Sequence, residues 1–258
     1  MDVVKLEKYL NIKNFLRGKA SFIPVFAYSV LDGYITGEVY SDSASLRTVL
    51  VKTNSGLFFI CGDADNYTFN HWLINEFIKN KSDEQRFTIF TASKEWDALF
   101  KSQLKGQAKQ LKRYSFEYIT VGKQSFTLDH HENYKLKRIN SAHIEQSIEF
   151  GTSYYEEYWG SASEFLNNGF GFCMLSNGKV ISEGTSIFCS NDFAEIDIAT
   201  NEIYRGKGLA TEISKAFICH SLENAKIPRW DCDVTNTSSI KLAEKLGFSS
   251  TSTYSVFI

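Results

Sequence analysis

The spacing of apolar and polar residues divides the second half of the chain into a regular series of elements. Two apolar stretches, 171–175 and 180–188, flank Asn177-Gly178, a dipeptide that favours the tight turn of a β-hairpin. Residues 194–200 then alternate between apolar and polar side chains, as in a half-buried strand. This pattern predicts three consecutive strands.

The same region continues with helical and strand-like spacing. A helix is predicted from Gly208, a strand at 230–234, a short helix that ends at Leu246 before Gly247, and a last strand at 253–258. The resulting order, β-β-β-α-β-α-β, predicts an α/β sandwich with a mixed sheet. It does not match a doubly wound nucleotide-binding fold.

The N-terminal half has a weaker pattern that still indicates mixed α/β structure. Helices are predicted from Val3 to about Phe15, at 69–79 and at 96–104, and strands at 49–51, 56–61 and 87–90. We therefore predict a smaller N-terminal α/β domain over 1–125 and a second domain over 126–258. The pair His130-His131 is interpreted as loop, because neighbouring residues on an extended chain point in opposite directions and no partner lies at ligand spacing.

Composition and charge exclude several classes of protein. The 258 residues contain five cysteines without a CxxC pair, no apolar run of membrane-spanning length and no signal-peptide pattern at the N-terminus. Residues 1–125 contain 17 basic and 13 acidic side chains, whereas residues 126–258 contain 11 and 17. We therefore expect a cytoplasmic protein with no nucleic-acid, membrane or metal partner, and a homodimer is left open. The acidic second half favours a cationic small molecule.

The segment with recognisable chemistry is a glycine-containing loop between a strand and a helix. Gly206 and Gly208 allow the main-chain N–H groups to converge at a helix N-terminus, which is a favourable site for a phosphate. Arg205 and Lys207 add positive charge. The residues that follow Gly208 match neither the P-loop of nucleotide hydrolases nor the dinucleotide fingerprint. The alternative is that the glycines only form a tight turn.

At this point the sequence resembles the GCN5-related N-acetyltransferase (GNAT) family. Arg205-Gly206-Lys207-Gly208-Leu209-Ala210 matches the Arg/Gln-x-x-Gly-x-Gly/Ala signature of that family. A second stretch, 236–248, resembles the family's other motif, in which an asparagine precedes a helix that ends in Leu-Gly-Phe. The resemblance covers about residues 127–258. In finer detail it is similar to a two-part bacterial branch that includes zwittermicin-resistance-type acetyltransferases.

The resemblance implies a fold and an acyl donor. The fold is the GNAT acyl-CoA N-acyltransferase fold, in which the central strands splay apart and the donor, acetyl-CoA, lies in the gap. By analogy, the main chain from Gly206 to Ala210 would bind the pyrophosphate. The residues implied at the donor site are Ile198, Thr200, Arg205, Gly206, Lys207, Gly208, Leu209, Ala210, Asn236 and Ser239. For Ser239 the alternative role is to cap the helix.

The implied reaction is direct attack by the amine of a small acceptor on the thioester. A base must remove the amine proton, and Glu195 is the first candidate because a glutamate in this region serves as base in the histone-acetyltransferase branch. Asp197, on the same face, and Glu183, on the neighbouring strand, are the other candidates. The alternative for each carboxylate is a solvated strand residue. An oxyanion on the thioester carbonyl would need an N–H donor near 198–200.

One departure from the family pattern bears on catalysis. Many relatives have a tyrosine that protonates the departing thiolate where this sequence has Ala243. Either CoA leaves as a thiolate, or another donor such as Cys232 or Tyr254 replaces the tyrosine, or the protein is a non-catalytic acyl-CoA-binding or sensing module. The aromatic segment 154–159 is interpreted either as part of the acceptor site or as a core-facing helix. The N-terminal domain is interpreted as a degenerate GNAT-like half without the glycine loop.

Overall fold

The chain divides into two compact units in the computed structural model. Unit 1 comprises Met1–Ser115 and Ser252–Ile258, and unit 2 comprises Phe116–Thr251. The structure describes residues 1–42, 46–119, 126, 133–147 and 149–258. Each unit has its own helices and mixed β-structure, so the two units are described separately.

The N-terminal part of the chain begins with a two-residue strand and a 3-10 helix at Leu6–Lys8. Its elements are β1 (Asp2–Val3), α1 (Tyr9–Lys19), α2 (Val25–Leu31), β2 (Gly37–Ser41), β3 (Thr48–Thr53), β4 (Leu57–Gly62), α3 (Tyr67–Ser82), β5 (Thr88–Thr91), α4 (Lys94–Gln103) and β6 (Gln110–Tyr118). Aromatic and branched side chains of α3, α4 and β4 pack into one core, in which Phe69, Leu73 and Trp96 are fully buried.

The remaining elements repeat the alternation of strands and helices. They are β7 (Lys135–Arg138), α5 (Ser141–Gln146), α6 (Thr152–Trp159), α7 (Ala162–Asn168), β8 (Gly171–Ser176), β9 (Lys179–Cys189), β10 (Phe193–Thr200), α8 (Leu209–Glu223), β11 (Ile227–Asp233), α9 (Thr237–Lys245) and β12 (Phe248–Phe257). From β8 onward, this order is the predicted β-β-β-α-β-α-β. The α/β class and mixed sheet are therefore confirmed.

The two units follow the same strand-pairing plan. In unit 1, β1 to β4 pair antiparallel in succession, and β4 then pairs parallel to β5 across α3. In unit 2, β7 to β10 pair antiparallel in succession, and β10 pairs parallel to β11 across α8. A four-strand antiparallel series followed by one parallel crossover therefore occurs twice in the chain.

Helix α8 covers one face of the β9–β10 pair. A Cβ atom added to Gly184 would lie 2.6 Å from the Cγ2 atom of Ile213, so the helix approaches the strand at a position that only glycine allows. Ile196 and Ile198 reach the same region. Because side chains alternate along a strand, Asp197 and its cross-strand partner Thr185 lie on the opposite face. The predicted separation of apolar and polar side chains onto opposite faces of β10 is therefore confirmed.

Several sequence-based boundaries differ from the structure. The predicted N-terminal helix begins only at Tyr9, because Asp2–Val3 pairs with β2 as a strand. Helix α2 was not predicted, since all of its residues are buried and it has no polar face to give a helical period. The last strand begins at Phe248 rather than at 253.

The domain division by sequence also differs in one respect. Residues Ser252–Ile258 belong to unit 1, although the sequence assigned all of 126–258 to the second domain. The physical reason is that Ser255, Val256 and Phe257 pair antiparallel with β5. The predicted boundary between residues 125 and 126, like the interpretation of His130-His131, falls on or beside residues outside the described ones. Within the described ranges, no helix is long and apolar enough to cross a membrane.

Candidate functional site

The loop between β10 and α8 presents main-chain N–H groups rather than side chains. After a 3-10 helix at Glu202–Tyr204, Gly206 and Gly208 adopt φ values of +76° and +79°, which side chains with a Cβ atom disfavour. Gly208 is the N-cap of α8 and supplies no side-chain hydrogen bond to the first turn. The first N–H groups of a helix have no partner within the helix, so these groups are available to an anion.

The two basic side chains of this loop lie beside it. Arg205 donates from Nε to the main-chain oxygen of Thr200 at 3.2 Å. The Lys207 ammonium lies 4.8 Å from the centre of the Tyr204 ring. Arg205, Gly206, Lys207 and Gly208 form an exposed turn, and Leu209 and Ala210 begin helix α8 directly after it, with Leu209 buried. The charge and the N–H groups of the loop are compatible with a diphosphate.

A gap opens between β10 and β11 next to this loop. The parallel pairing covers only Phe193–Ile227, Ala194–Pro228 and Glu195–Arg229, although β10 continues to Thr200 and β11 to Asp233. A register shift in the β9–β10 pairing occurs between Glu195 and Ile196, at the point where the parallel pairing ends. The central strands of unit 2 therefore splay apart, as the family resemblance implied.

The main chain of β10 alternates between its neighbour β9 and the gap. Asn201 donates its N–H to the oxygen of Ile181, so every second residue before it also faces β9. Ile198 and Thr200 therefore direct their main-chain groups into the gap. These are the two residues that the sequence associated with the amides of the donor. The side chain of Thr200 is already hydrogen-bonded to Ser182 at 2.7 Å.

Asn236 and Ser239 have structural roles at the start of α9. The Asn236 side chain accepts from the Ser239 N–H at 3.1 Å and caps the helix. The Ser239 hydroxyl accepts from Trp230 Nε1 at 2.8 Å. The expected capping role of Ser239 is wrong, because Asn236 is the N-cap and the Ser239 hydroxyl bonds to Trp230 instead. The predicted contacts of Asn236 and Ser239 with the donor stay a prediction.

Asp197 is held by two hydrogen-bond donors at the edge of the gap. Its Oδ2 atom accepts from the Tyr154 hydroxyl at 2.9 Å, and its Oδ1 atom accepts from the Ile198 N–H at 2.9 Å. Burial, together with the neighbouring Asp197 charge, raises the pKa of Tyr154 well above its usual value, so the phenol remains protonated. Glu195 lies half-buried at the end of the parallel pairing.

Glu183 lies on the same face of the sheet, but it is only 5 % exposed. Burial raises the pKa of its carboxyl group, and the charges of Glu149 and Asp197 raise it further. Hydrogen bonds from the Ser147 hydroxyl and the Phe150 N–H act in the opposite direction. Glu183 also lines a cavity of about 260 Å³ together with Glu149, Glu202, Asn201 and Arg205. This cavity has an acidic lining beside the ends of β9 and β10.

The sequence did not identify Tyr154 as an individual site residue, although it singled out the segment 154–159. The core-facing interpretation holds for two residues of that segment, and its contribution to the acceptor site stays a prediction. Tyr155 and Trp159 are buried in the core, with Tyr155 stacked on Phe165, whereas the Tyr154 hydroxyl reaches Asp197. The available signal in the sequence was the helical spacing of Tyr154 and Tyr158, which lie four residues apart. Only the fold shows which tyrosine bonds to a carboxylate.

The proposed substitutes for the missing general acid have different environments. Tyr254 belongs to unit 1, where it stacks on Phe22 and its hydroxyl accepts from Arg113 Nε at 3.0 Å. Cys232 is buried on β11, next to the part of β10 that has no parallel partner. Ala243 is fully buried in α9. The contacts of Tyr254 in unit 1 thus give it a structural role.

These features, a splayed parallel pair and an uncapped glycine turn beside it, define the class of protein. The chain belongs to the GNAT acetyltransferase family, whose model matches residues 20–257. It is therefore a GNAT N-acetyltransferase, an acyltransferase. The sequence-based identification of this family and of the enzyme class is confirmed.

Individual relatives extend the comparison over nearly the whole chain. The chain is 40% identical over 252 residues to the uncharacterized N-acetyltransferase YdfB of Bacillus subtilis (strain 168), covering 97% of this chain and 95% of that protein. A GCN5-related N-acetyltransferase-like protein from Streptococcus suis 89/1591 superposes with a TM-score of 0.73 at 21% identity, over 98% of this chain and 99% of the other. A tandem GNAT protein from the clavulanic acid biosynthesis pathway superposes with a TM-score of 0.60 at 10% identity, over 98% and 93% of the two chains. The two structural likenesses show the fold.

Proposed function

We propose that the protein transfers the acetyl group of acetyl-CoA to the amine of a small cationic acceptor by direct attack. The observation that carries the proposal is the gap beyond Glu195–Arg229, with the glycine turn at its end. The exposed edge of β10 suits an extended chain with amide groups, and the turn suits a diphosphate. The acyl donor would therefore lie along Ile198 and Thr200 with its diphosphate at Gly206–Ala210.

Asp197 is the base that the geometry favours. Its carboxylate lies at the edge of the gap, because one of its oxygens accepts from the gap-facing N–H of Ile198. The acceptor amine loses a proton to this carboxylate, directly or through one water, and its nitrogen forms a bond to the thioester carbon. The C–S bond then breaks, and CoA leaves as a thiolate that takes a proton from solvent. Glu195 and Glu183 remain the alternative bases.

The Ile198 N–H links donor binding to the release of this base. If the thioester carbonyl or a donor amide accepts from Ile198, that N–H is no longer available to the Oδ1 atom of Asp197. The Tyr154 hydroxyl continues to hold Oδ2, so the carboxylate stays in place while its Oδ1 atom loses the bond from Ile198. Acetyl-CoA would therefore bind before the acceptor, and the same N–H would stabilise the developing oxyanion.

The acceptor class follows from the acidic cavity. Glu149, Glu183 and Glu202 line it against the single basic side chain of Arg205. A cation is stabilised by such a lining, whereas an anion is repelled. We therefore propose a small acceptor that carries a second positive charge besides the reacting amine, such as a polyamine or an amine-bearing antibiotic.

Calorimetry with one loop variant tests the donor site. Gly206→Asp places a carboxylate at the exposed turn, and we expect its Kd for acetyl-CoA to rise at least tenfold. Gly106→Asp is the matched control, because Gly106 has a similar φ of +72° in an open position of unit 1. Equal affinities of the two variants, or no heat with the wild type, would contradict the proposal.

A second candidate function rests on Ala243, which occupies the place of the family's usual thiolate acid. In that case the protein would bind an acyl-CoA without turnover, as a sensing module. The two candidates are separated by measuring CoA release from the wild type with a panel of polyamines and amine-bearing antibiotics. Binding of acetyl-CoA with no CoA release for any amine favours the sensing module.

A further inference from the structure

In unit 1 the parallel pairing also ends before β4 does, and a cavity lies at this point. The parallel pairing of β4 and β5 ends at Phe59–Phe90, although β4 continues to Gly62. A cavity of about 880 Å³ lies at this point, and all of its lining residues belong to unit 1. This volume lies in the range of small-molecule sites in proteins.

The walls of this cavity combine apolar side chains with one strand edge. Phe15, Cys61 and the fully buried Trp96 line it. Burial raises the pKa of the Cys61 thiol to about 11, so the thiol is uncharged at neutral pH. These residues suit a ligand with an apolar body.

The edge of β4 also directs main-chain hydrogen-bonding groups towards the cavity. Asp63 donates its N–H to the oxygen of Arg47 on the β3 side, so Ile60 and Gly62 direct their main-chain groups towards β5 and the cavity. The oxygen of Gly62 accepts from Trp96 Nε1 at 3.1 Å. The parallel pairing of Phe59 with Phe90 uses the Ile60 N–H, so the Ile60 oxygen is the main-chain acceptor at the end of that pairing. A secondary amide of a ligand can pair with a strand edge of this kind.

A diphosphate does not fit unit 1, in contrast to unit 2. Helix α3 occupies the position of α8 in the pairing plan, but its N-cap is Asn66, whose side chain accepts from the Phe69 N–H at 3.3 Å. Asp63 and Asp65 precede this cap and would repel a phosphate. The N-terminus of α3 is therefore capped by a side chain and preceded by two acidic residues, whereas the N-terminus of α8 is open at Gly208.

Two lysines at the cavity favour a ligand with a single negative charge. Arg47 is paired with Asp63, and the Glu95 carboxylate accepts from the Ser93 hydroxyl. In the part of the chain that the structure describes, neither Lys19 nor Lys94 takes part in an ion pair. Both lie exposed in the lining and are available to a carboxylate.

We infer that this cavity is a second ligand site, which binds a small carboxylate with an apolar body and one secondary amide, such as an N-acylated apolar amino acid. The apolar body contacts Phe15 and Cys61, the amide N–H donates to the main-chain oxygen of Ile60, and Lys19 and Lys94 bind the carboxylate. This site does not depend on the proposed acetyl transfer. A ligand there would bind whether or not unit 2 turns over.

Calorimetry with a matched pair of probes tests the site. We expect N-acetylphenylalanine to bind the wild type with a sub-millimolar Kd, and N-acetylphenylalaninamide, which lacks the carboxylate, to bind at least tenfold more weakly. Acetyl-CoA should not displace the acid, and Gly206→Asp should leave its Kd unchanged. No binding of the acid up to 10 mM, or equal binding of acid and amide, would overturn the inference.

Two variant pairs locate the binding in unit 1. Lys94→Glu should raise the Kd of the acid at least tenfold, whereas Lys101→Glu, exposed on the same helix α4 but outside the cavity lining, should not. Ser21→Trp fills the exposed mouth of the cavity and should abolish binding, whereas Ser102→Trp should not. Thermal unfolding followed by circular dichroism serves as the folding check for all four variants. Unchanged binding in both Lys94→Glu and Ser21→Trp would place the ligand elsewhere and contradict the inference.

Discussion

The Asp197 carboxylate accepts hydrogen bonds on both oxygens, one from the Tyr154 hydroxyl and one from the Ile198 N–H. Tyr154→Phe removes the phenol donor to Oδ2 and retains the bond from the Ile198 N–H to Oδ1. We expect kcat to fall about 3- to 30-fold because the base is less well positioned, while the Kd for acetyl-CoA stays within about twofold. Steady-state kinetics and calorimetry measure the two quantities.

Tyr155→Phe is the control for this substitution. It also removes a buried tyrosine hydroxyl, but one that is bonded to Thr185 at 3.2 Å rather than to Asp197. We expect it to lower the free energy of unfolding by about 1 kcal/mol without a comparable loss of kcat. Equal kinetic effects of the two substitutions would argue against a positioning role for Tyr154.

The buried Glu183 carboxyl predicts a pH dependence of stability. Its pKa is raised in the folded protein, so the folded state binds the proton more tightly than the unfolded state. The stabilising contribution is fully present below the unfolded pKa of about 4.3 and is lost as the pH rises through the raised folded value. The free energy of unfolding of Glu183→Gln, relative to wild type, should therefore increase from pH 4 to pH 8.

Urea unfolding at several pH values measures this difference. Comparing the variant with wild type at each pH cancels the titration of the other carboxyl groups. A difference that is constant with pH would show that Glu183 titrates alike in both states.

The packing of helix α8 on β9 depends on the absence of a side chain at Gly184. Gly184→Val would place atoms within 3 Å of Ile213, so we expect a loss of about 1–3 kcal/mol in the free energy of unfolding. Gly18→Ala, in the exposed end of α1 with open space around it, should instead stabilise by up to about 1 kcal/mol. Thermal unfolding of both variants tests this opposite pair of effects.

At the level of elements, the sequence was most informative where polar and apolar residues alternate. Strand β10 alternates between apolar and polar residues, so its period is visible, whereas the hairpin at 171–188 was predicted from two apolar runs around Asn177-Gly178, since β9 is buried on both faces. Helix α2 has no such period because all of its residues are buried. The site divides in the same way: the glycine turn is local and could be predicted, whereas the Tyr154–Asp197 contact joins residues 43 positions apart.

For the whole molecule, the C-terminal residues determine the integrity of unit 1. A chain that ends at Thr251 lacks Ser255–Phe257, which pair with β5. We expect amide hydrogen exchange in β5 to accelerate by at least tenfold, because its main chain loses one set of partners. Strand β9, which pairs with β8 and β10, should keep its protection and serves as the internal control. Unchanged exchange in β5 would contradict this assignment.

The pairing of Ser255 with Thr91 has a consequence for synthesis on the ribosome. Residues Phe116–Thr251 are translated between the two parts of unit 1, so β5 is synthesised well before the strand that covers it. At about 5–20 residues per second, the roughly 140 intervening residues take about 7–30 s to translate. During this interval the nascent chain presents an unpaired, apolar strand edge, which makes it a natural client for ribosome-associated chaperones.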